Sequence, residues 1–187
     1  RLGRELTDMS FRGSIDDISK TNNLQPIMIA FQLAVLKLIR THKPDLLKGL
    51  MSTCGLSLGE YSALALSEII DEGDALRLVA MRGALMGEAS ENRNSKMLAI
   101  LKMTEDEVRE ILQGNPEFEG KVYIANINSS RQIIVSGEGD AIDELKDFLK
   151  TNRKLAKPLA VSGAFHTPFM ESARVEFMET LEGTSFR

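Results

Sequence analysis

The feature that most constrains the fold is the G-x-S-x-G pattern formed by Gly55, Ser57 and Gly59. In this pattern a serine occupies a sharp turn between a strand and a helix, and its hydroxyl projects outward. Residues 50–54 read as a short buried strand, and residues 61–66 read as a helix. The two glycines lack side chains where strand and helix would come closest, and the helix N-terminus would offer free N–H groups to an oxyanion. The pattern predicts a nucleophilic serine in an α/β fold, although an ordinary Gly/Ser turn gives the same letters.

Composition argues against several other classes of protein. Hydrophobic content of 43% and charged content of 27% are typical of a globular chain. A net charge of −4 and an aromatic content of 5% without Trp favour neither nucleic-acid binding nor base stacking. The single Cys54 excludes an intramolecular disulfide, and no Cys/His cluster has metal-ligand spacing. The longest apolar run, 26–39, is interrupted by Gln32 and Lys37. We therefore expect no membrane span, no metal, no cofactor and a cytoplasmic location.

Long helices are predicted on both sides of the serine. Residues 26–41 are apolar nearly all round, so we expect a helix that is capped by Asn22 or Asn23 and buried against a sheet. Residues 74–89 predict a further helix. Because no first strand of an α/β enzyme is visible, we expect the chain to be a fragment of a longer protein.

The sequence pattern changes near residue 95. Four segments read as strands, at 96–101, 122–126, 132–136 and 155–162. A capping box of Thr104 and Glu107 predicts the start of one helix, and Asp140 is predicted to cap a second helix. The order β-α-β-β-α-β is the ferredoxin-like motif. We therefore predict an α/β protein with two domains. A parallel-sheet, α/β-hydrolase-like core with a nucleophile elbow would comprise 1–95 and 163–187, and an inserted ferredoxin-like subdomain would comprise 96–162.

A serine hydroxyl needs a base to take its proton, and the chain has two histidines. His42 lies in a predicted polar turn beside Pro44, where a surface position is expected. His166 follows the last predicted strand, and strand ends are where sites assemble in open α/β sheets. His166 is therefore the candidate base, the alternative being a capping or buried structural histidine.

Four segments, in this order, resemble the malonyl-CoA:acyl carrier protein transacylases and the acyltransferase domains of fatty acid and polyketide synthases. They are Gly55-Leu56-Ser57-Leu58-Gly59-Glu60-Tyr61-Ser62-Ala63-Leu64, Met81-Arg82-Gly83-Ala84-Leu85-Met86, Ile124-Ala125-Asn126-Ile127-Asn128-Ser129 and Gly163-Ala164-Phe165-His166-Thr167-Pro168. The resemblance covers essentially all 187 residues. The family's small subdomain also matches the β-α-β-β-α-β order.

The resemblance implies a two-step transfer of malonyl from coenzyme A, through an ester on Ser57, to the phosphopantetheine thiol of acyl carrier protein. His166 matches the base, and the N–H of Leu58 matches an oxyanion donor. Arg82 matches the arginine that binds the malonyl carboxylate, and its place on an apolar helix face agrees with that role. A snorkelling arginine with a structural carboxylate partner is the alternative. Phe165 matches the malonyl-selective form of the family, although simple packing also explains it.

Departures from the family pattern leave other functions open. Leu56 stands where many members have histidine. Related acyl hydrolases also carry leucine there, but they tend to lack the arginine that this chain has at Arg82. Asn126 and Asn128 are binding candidates and equally candidate turn residues. The family's second oxyanion donor and the carbonyl that orients the histidine are absent, so we expect the 187 residues alone to be weakly active or inactive. An acyl-thioester hydrolase, a polyketide synthase module and a non-catalytic carrier-docking module are the alternatives.

The proposed carrier would bind a basic surface, because acyl carrier proteins are acidic. The densest basic cluster comprises Lys150, Arg153, Lys154 and Lys157. A solvated helix end explains these residues equally well.

Overall fold

The computed structural model describes residues 6–91, 93–161 and 163–187. Their helices are α1 Leu6–Arg12, α2 Ile15–Ser19, α3 Thr21–His42, α4 Gly59–Leu66, α5 Glu72–Ser90, α6 Glu105–Gly114, α7 Gly139–Thr151 and α8 Glu171–Glu182. The strands are β1 Ser95–Leu101, β2 Val122–Ser129, β3 Gln132–Glu138 and β4 Leu155–Pro158. Short 3₁₀ helices occupy Pro44–Leu47, Pro116–Phe118 and Pro168–Met170.

The chain divides into two compact units. The helical unit comprises Arg1–Leu85 and Val175–Arg187, and the sheet unit comprises Met86–Arg174. Domain boundaries at 95/96 and 162/163 stay a prediction.

One face of α3 forms the centre of the helical unit. Ile29, Leu33 and Leu36 are buried there, and they share a core with residues of α4 and α5 such as Ala65 and Leu78. The other face is exposed, as Phe31 is 65% exposed. The expectation that α3 is buried against a sheet is therefore wrong for the described residues, because its packing partners are helices and none of the described residues of this unit form a strand.

Helix α3 begins five residues earlier than predicted, at Thr21, with Lys20 as its N-cap. Asn22 and Asn23 are therefore inside the helix, and the prediction that one of them caps it is wrong. The side chain of Asn23 instead donates from Nδ2 to the carbonyl of Asp17 at 2.9 Å.

By length and composition alone, the 22 residues of α3 could cross a membrane. The expectation that no apolar run is long enough to span a membrane is wrong on that criterion, because Gln32 and Lys37 do not lower the mean hydropathy of the helix below that of a candidate span. The core helix of a soluble protein meets the same criterion.

The predicted strand at 50–54 is absent. Residues 50–55 have no regular secondary structure, and Leu50 and Met51 are 49% and 98% exposed. A strand needs a neighbouring strand to pair with its backbone groups, and none is described in the helical unit.

The sheet unit contains a four-stranded sheet in the order β2-β3-β1-β4, in which all neighbouring strands are antiparallel. The predicted order of strands and helices over 96–162 is confirmed for the described residues. Side chains from β1 alternate between two cores. Leu98 and Ile100 pack with α6 and α7, whereas Met97 and Ala99 pack on the other face.

In the sheet unit, the end of β4 and the start of α7 differ from the prediction. Strand β4 stops at Pro158, which pairs with Leu98, and the N–H of Leu159 still donates to the carbonyl of Met97 at 3.0 Å; position 162 lies outside the described residues. Asp140 does not cap α7, because the helix begins at Gly139 with Glu138 as its N-cap. The predicted capping box of Thr104 and Glu107 is confirmed.

Candidate active site

The chain turns sharply at Ser57, directly before α4. Ser57 has a φ of +53°, a left-handed conformation that costs free energy for a residue with a Cβ. The N–H of Gly59 donates to the carbonyl of Leu56 at 2.9 Å, which closes the turn. The predicted strained serine turn before a helix is therefore present, although no strand precedes it.

The two glycines of the motif have different environments. A Cβ on Gly55 would lie 2.1 Å from the carbonyl carbon and oxygen of Gly59, so only glycine fits there. A Cβ on Gly59 would meet no described atom within 4 Å. The prediction that a side chain would not fit at either glycine is thus confirmed for Gly55 and wrong for Gly59.

The N-terminus of α4 faces the turn that carries the serine. Among the described residues, the N–H of Leu58 has no hydrogen-bond acceptor, which suits the predicted oxyanion donor. The side chain of Leu58 packs against the helical core, whereas Leu56 is 67% exposed.

Arg82 of α5 lies against the serine. Its Nη2 donates to Oγ of Ser57 at 2.8 Å, and its Nη1 donates to Oε1 of Gln25 at 2.6 Å. The guanidinium carbon also lies 5.9 Å from the centre of the Tyr61 ring, within the range of a cation–π contact. The structure therefore brings together Ser57 and Arg82, which are 25 positions apart in the sequence.

The groups in direct contact with the Arg82 guanidinium, which are Ser57, Gln25 and the ring of Tyr61, are neutral. Burial lowers the pKa of Arg82, while Tyr61 and Glu60 act in the opposite direction. Burial also raises the pKa of Tyr61. Over the described ranges no carboxylate lies within ion-pair distance of the Arg82 guanidinium, so the alternative of a structural carboxylate partner has no support there.

His166 and Phe165 belong to the sheet unit. His166 is exposed in a turn after β4, with a φ of +61°. The turn is fixed by Thr167, whose Oγ1 donates to the carbonyl of Ala164 at 2.6 Å. Phe165 is half-buried against the cluster that contains Met97. The roles of His166 and Phe165 stay predictions.

Asn126 and Asn128 lie in β2, so the alternative that they are turn residues is wrong. Asn126 is half-buried and pairs with Ile134, directly after a register shift that skips Ala125. Asn128 is exposed. His42 is exposed as predicted, at the last residue of α3.

Two residues of the site were missed by the sequence analysis: Gln25 and Tyr61. Gln25 is 5% exposed on the buried face of α3. Its position four residues before Ile29, on the apolar stripe of that helix, was the sequence signal that could have indicated a buried amide. The part of the chain that the structure describes holds no group of three or more His, Cys, Asp or Glu side chains suited to a metal ion.

The fold places the chain among the α/β proteins, and a strained serine turn directly precedes α4. More specifically, it belongs to the acyl transferase domain family, whose model matches residues 4–185. The chain is 32% identical over 187 residues to the malonyl CoA-acyl carrier protein transacylase of Staphylococcus aureus (strain MRSA252), covering 100% of this chain and 59% of that protein. It therefore spans less than two thirds of the length of this relative.

Solved structures of malonyl transacylases are also similar to this chain. A malonyl CoA-acyl carrier protein transacylase from Clostridium perfringens matches with a TM-score of 0.87 and 34% identity, covering 100% of this chain and 57% of that one. A malonyl-transacylase in complex with a type II polyketide synthase acyl-carrier protein matches with a TM-score of 0.84 and 30% identity, covering 100% and 59%.

Proposed function

We propose that the protein is an acyltransferase that moves malonyl from malonyl-CoA to the phosphopantetheine thiol of acyl carrier protein, for fatty acid biosynthesis in the cytoplasm. The observation that carries the proposal is the contact between Arg82 and Ser57, at 2.8 Å. A malonyl ester on Ser57 would have its free carboxylate one methylene from the ester carbonyl, within reach of the same guanidinium. A planar guanidinium holds a carboxylate through two parallel hydrogen bonds.

In the first half-reaction, Oγ of Ser57 attacks the thioester carbonyl of malonyl-CoA. A C–O bond forms, the C–S bond breaks, and the Oγ proton passes to His166 and then to the departing thiolate. The N–H of Leu58 stabilises the oxyanion. In the second half-reaction the carrier's thiol gives its proton to His166, its sulfur takes the malonyl group, and Ser57 recovers the proton. The thioester is a substrate, and this chemistry requires no cofactor.

The roles of the other candidates follow from the same reaction. Phe165 limits the size of the acyl α-substituent, and Leu56, Asn126 and Asn128 contact the substrate. These assignments rest on the match to family motifs.

We also propose the finer fold, a parallel α/β-hydrolase-like core with an inserted ferredoxin-like subdomain. The order β2-β3-β1-β4 with antiparallel neighbours supports the ferredoxin-like part. For the core, the support is the strained turn at Ser57 directly before α4, which has the geometry of a nucleophile elbow.

The proposed carrier-docking surface is the basic cluster of Lys150, Arg153, Lys154 and Lys157. All four are exposed, and the Nζ of Lys154 lies 4.0 Å from Oε1 of Glu107. Reversing Lys154 and Lys157 to Glu should raise the KM for carrier protein without changing the KM for malonyl-CoA. Equal effects on both values would contradict this surface.

A polyketide pathway is the second candidate. The similarity to a malonyl-transacylase that binds a type II polyketide synthase carrier favours it. Transfer to a fatty-acid carrier and to a polyketide carrier, measured side by side, separates the two pathways.

The experiment that tests the proposal is intact-mass analysis of the full-length protein that contains these residues, after mixing with malonyl-CoA or acetyl-CoA. We expect a malonyl adduct that moves to added acyl carrier protein and is abolished by Ser57→Ala. Ser52→Ala is the matched control, because Ser52 is an exposed serine five positions earlier. Release of free malonate without transfer to the carrier would favour a hydrolase, and an adduct that survives Ser57→Ala would exclude the serine mechanism.

A further inference from the structure

Gln25 is a buried amide on the apolar face of α3. It is 5% exposed, and its neighbours on the same face, Ile29 and Leu33, are apolar core residues. Burying an amide costs free energy unless its polar atoms are hydrogen-bonded. The contacts of Gln25 therefore indicate what its amide group does there.

The two ends of the amide are held by different partners. Oε1 accepts from Nη1 of Arg82 at 2.6 Å, and Nε2 donates to Oγ1 of Thr21 at 2.8 Å. A guanidinium has donors and no acceptor, so the amide oxygen must face Arg82 and the nitrogen must face away. The Thr21 hydroxyl accepts from that nitrogen, which fixes the orientation of the amide.

The close approach of α3 and α5 depends on Gly83, the residue after Arg82. A Cβ on Gly83 would lie 2.9 Å from the carbonyl oxygen of Thr21 and 3.3 Å from Cβ of Gln25. The glycine thus lets the backbones of the two helices come near enough for the Gln25 amide to reach the guanidinium.

We propose that Gln25 is a positioning residue that determines acyl specificity by holding the Arg82 guanidinium against the Ser57 hydroxyl. The inference rests on the proposed function, in which Arg82 binds the carboxylate of a malonyl group. One edge of the guanidinium is occupied by Gln25, and the Nη2 that now contacts Ser57 is directed to the place where an acyl group would be attached.

The neutrality of the amide is central to this role. A glutamine accepts a hydrogen bond from Arg82 without adding a negative charge, so the substrate carboxylate is left to form the ion pair with the guanidinium. A glutamate of the same size would itself neutralise the guanidinium. Gln25 therefore makes the site selective for acyl groups that carry their own negative charge.

The test compares Gln25→Glu with Gln32→Glu in the full-length protein that contains these residues. Gln32 lies seven positions further along α3 and is hydrogen-bonded to the hydroxyl of Ser62, so it receives the same chemical change without contacting Arg82. The measured quantity is the ratio of the initial rates of coenzyme A release from malonyl-CoA and acetyl-CoA. We expect Gln25→Glu to lower this ratio about 10- to 100-fold, mainly through a higher KM for malonyl-CoA, and Gln32→Glu to leave it unchanged.

Gln25→Met provides a second test without a new charge. It keeps the side-chain length and removes the amide, and we expect a fall in the ratio that is smaller than that of Gln25→Glu. An unchanged ratio in Gln25→Glu, an equal fall in Gln32→Glu, or an equal loss with both thioesters would overturn the proposal. Wild-type protein without a malonyl preference would overturn it as well. Wild-type protein that prefers malonyl-CoA but releases malonate refutes the transferase function alone, because the ratio still tests Gln25.

Discussion

The guanidinium of Arg82 donates a hydrogen bond to Oγ of Ser57 at 2.8 Å, so a half-buried cation lies against the predicted nucleophile. Its other contacts, with Gln25 and the ring of Tyr61, are neutral. A half-buried cation whose direct contacts are all neutral favours an anion beside it. This arrangement connects the choice of acyl group to the position of the serine.

The first prediction concerns the charge of Arg82. Arg82→Ala should lower the rate of malonyl loading on Ser57 about 10- to 100-fold, because the carboxylate loses a charged hydrogen-bond partner, and it should increase loading from acetyl-CoA. Adduct formation with each thioester, followed by intact mass, measures both effects. Arg77→Ala is the control, since Arg77 lies on the same helix and pairs with Asp74. An unchanged malonyl/acetyl ratio in Arg82→Ala would refute the role of Arg82.

A second prediction concerns the two glycines of the serine turn. Gly55→Ala should lower the free energy of unfolding by about 1–3 kcal/mol, because its Cβ would overlap the carbonyl group of Gly59. Gly59→Ala should leave stability unchanged or raise it by up to about 1 kcal/mol, because the new Cβ meets open space and alanine favours a helix. Urea unfolding of both variants gives the comparison. Equal destabilisation by the two substitutions would contradict the close approach at Gly55.

These local features could be predicted because they depend on residues close together in the sequence. The serine turn, the capping box of Thr104 and Glu107, and the succession of strands and helices along the sheet unit each follow from short patterns. The helical face of Arg82 could be predicted in the same way, from the apolar residues around it.

Features that depend on distant partners could not be predicted. Residues 50–54 have the composition of a strand, but a strand forms only where another chain segment accepts its hydrogen bonds. Gln25 contacts Arg82 across 57 positions, so neither helix pattern alone revealed the pair. Its amide on an apolar stripe was visible, but the partner was not.

A third prediction concerns the capping box of α6. The backbone N–H of Thr104 donates to the Glu107 carboxylate and lowers the pKa of Glu107. The folded state therefore gains stability from this contact at pH values above the unfolded pKa of Glu107, and loses it as the pH falls through the lower folded pKa. Glu107→Gln should abolish this part of the pH dependence, because a glutamine does not titrate. Urea midpoints of both proteins between pH 3 and 7 should converge at the acidic end; a constant difference would contradict the prediction.

A fourth prediction concerns the contact between α3 and α5 at Gly83. Gly83→Ala places a Cβ 2.9 Å from the carbonyl oxygen of Thr21, so one helix must shift. We expect a loss of about 1–3 kcal/mol in the free energy of unfolding and a lower malonyl/acetyl ratio, because the bond between Gln25 and Arg82 would lengthen. Gly114→Ala is the control, as its Cβ would meet no described atom within 4 Å. A destabilised variant with an unchanged ratio would separate packing from specificity and contradict the second half of this prediction.

The last prediction concerns Phe165. Phe165→Ser should admit methylmalonyl-CoA, because the smaller side chain leaves room for the extra methyl group at the α-carbon. The phenyl ring also packs against the cluster of Met97, Ala99 and Ile134, so the variant should lose stability. Met97→Ala is the control that loosens the same cluster while keeping Phe165. A gain in methylmalonyl loading with Phe165→Ser alone indicates that the volume of Phe165 sets the limit. An equal gain with Met97→Ala would assign the effect to loosened packing, and no gain with Phe165→Ser would refute the role of Phe165 in substrate selection.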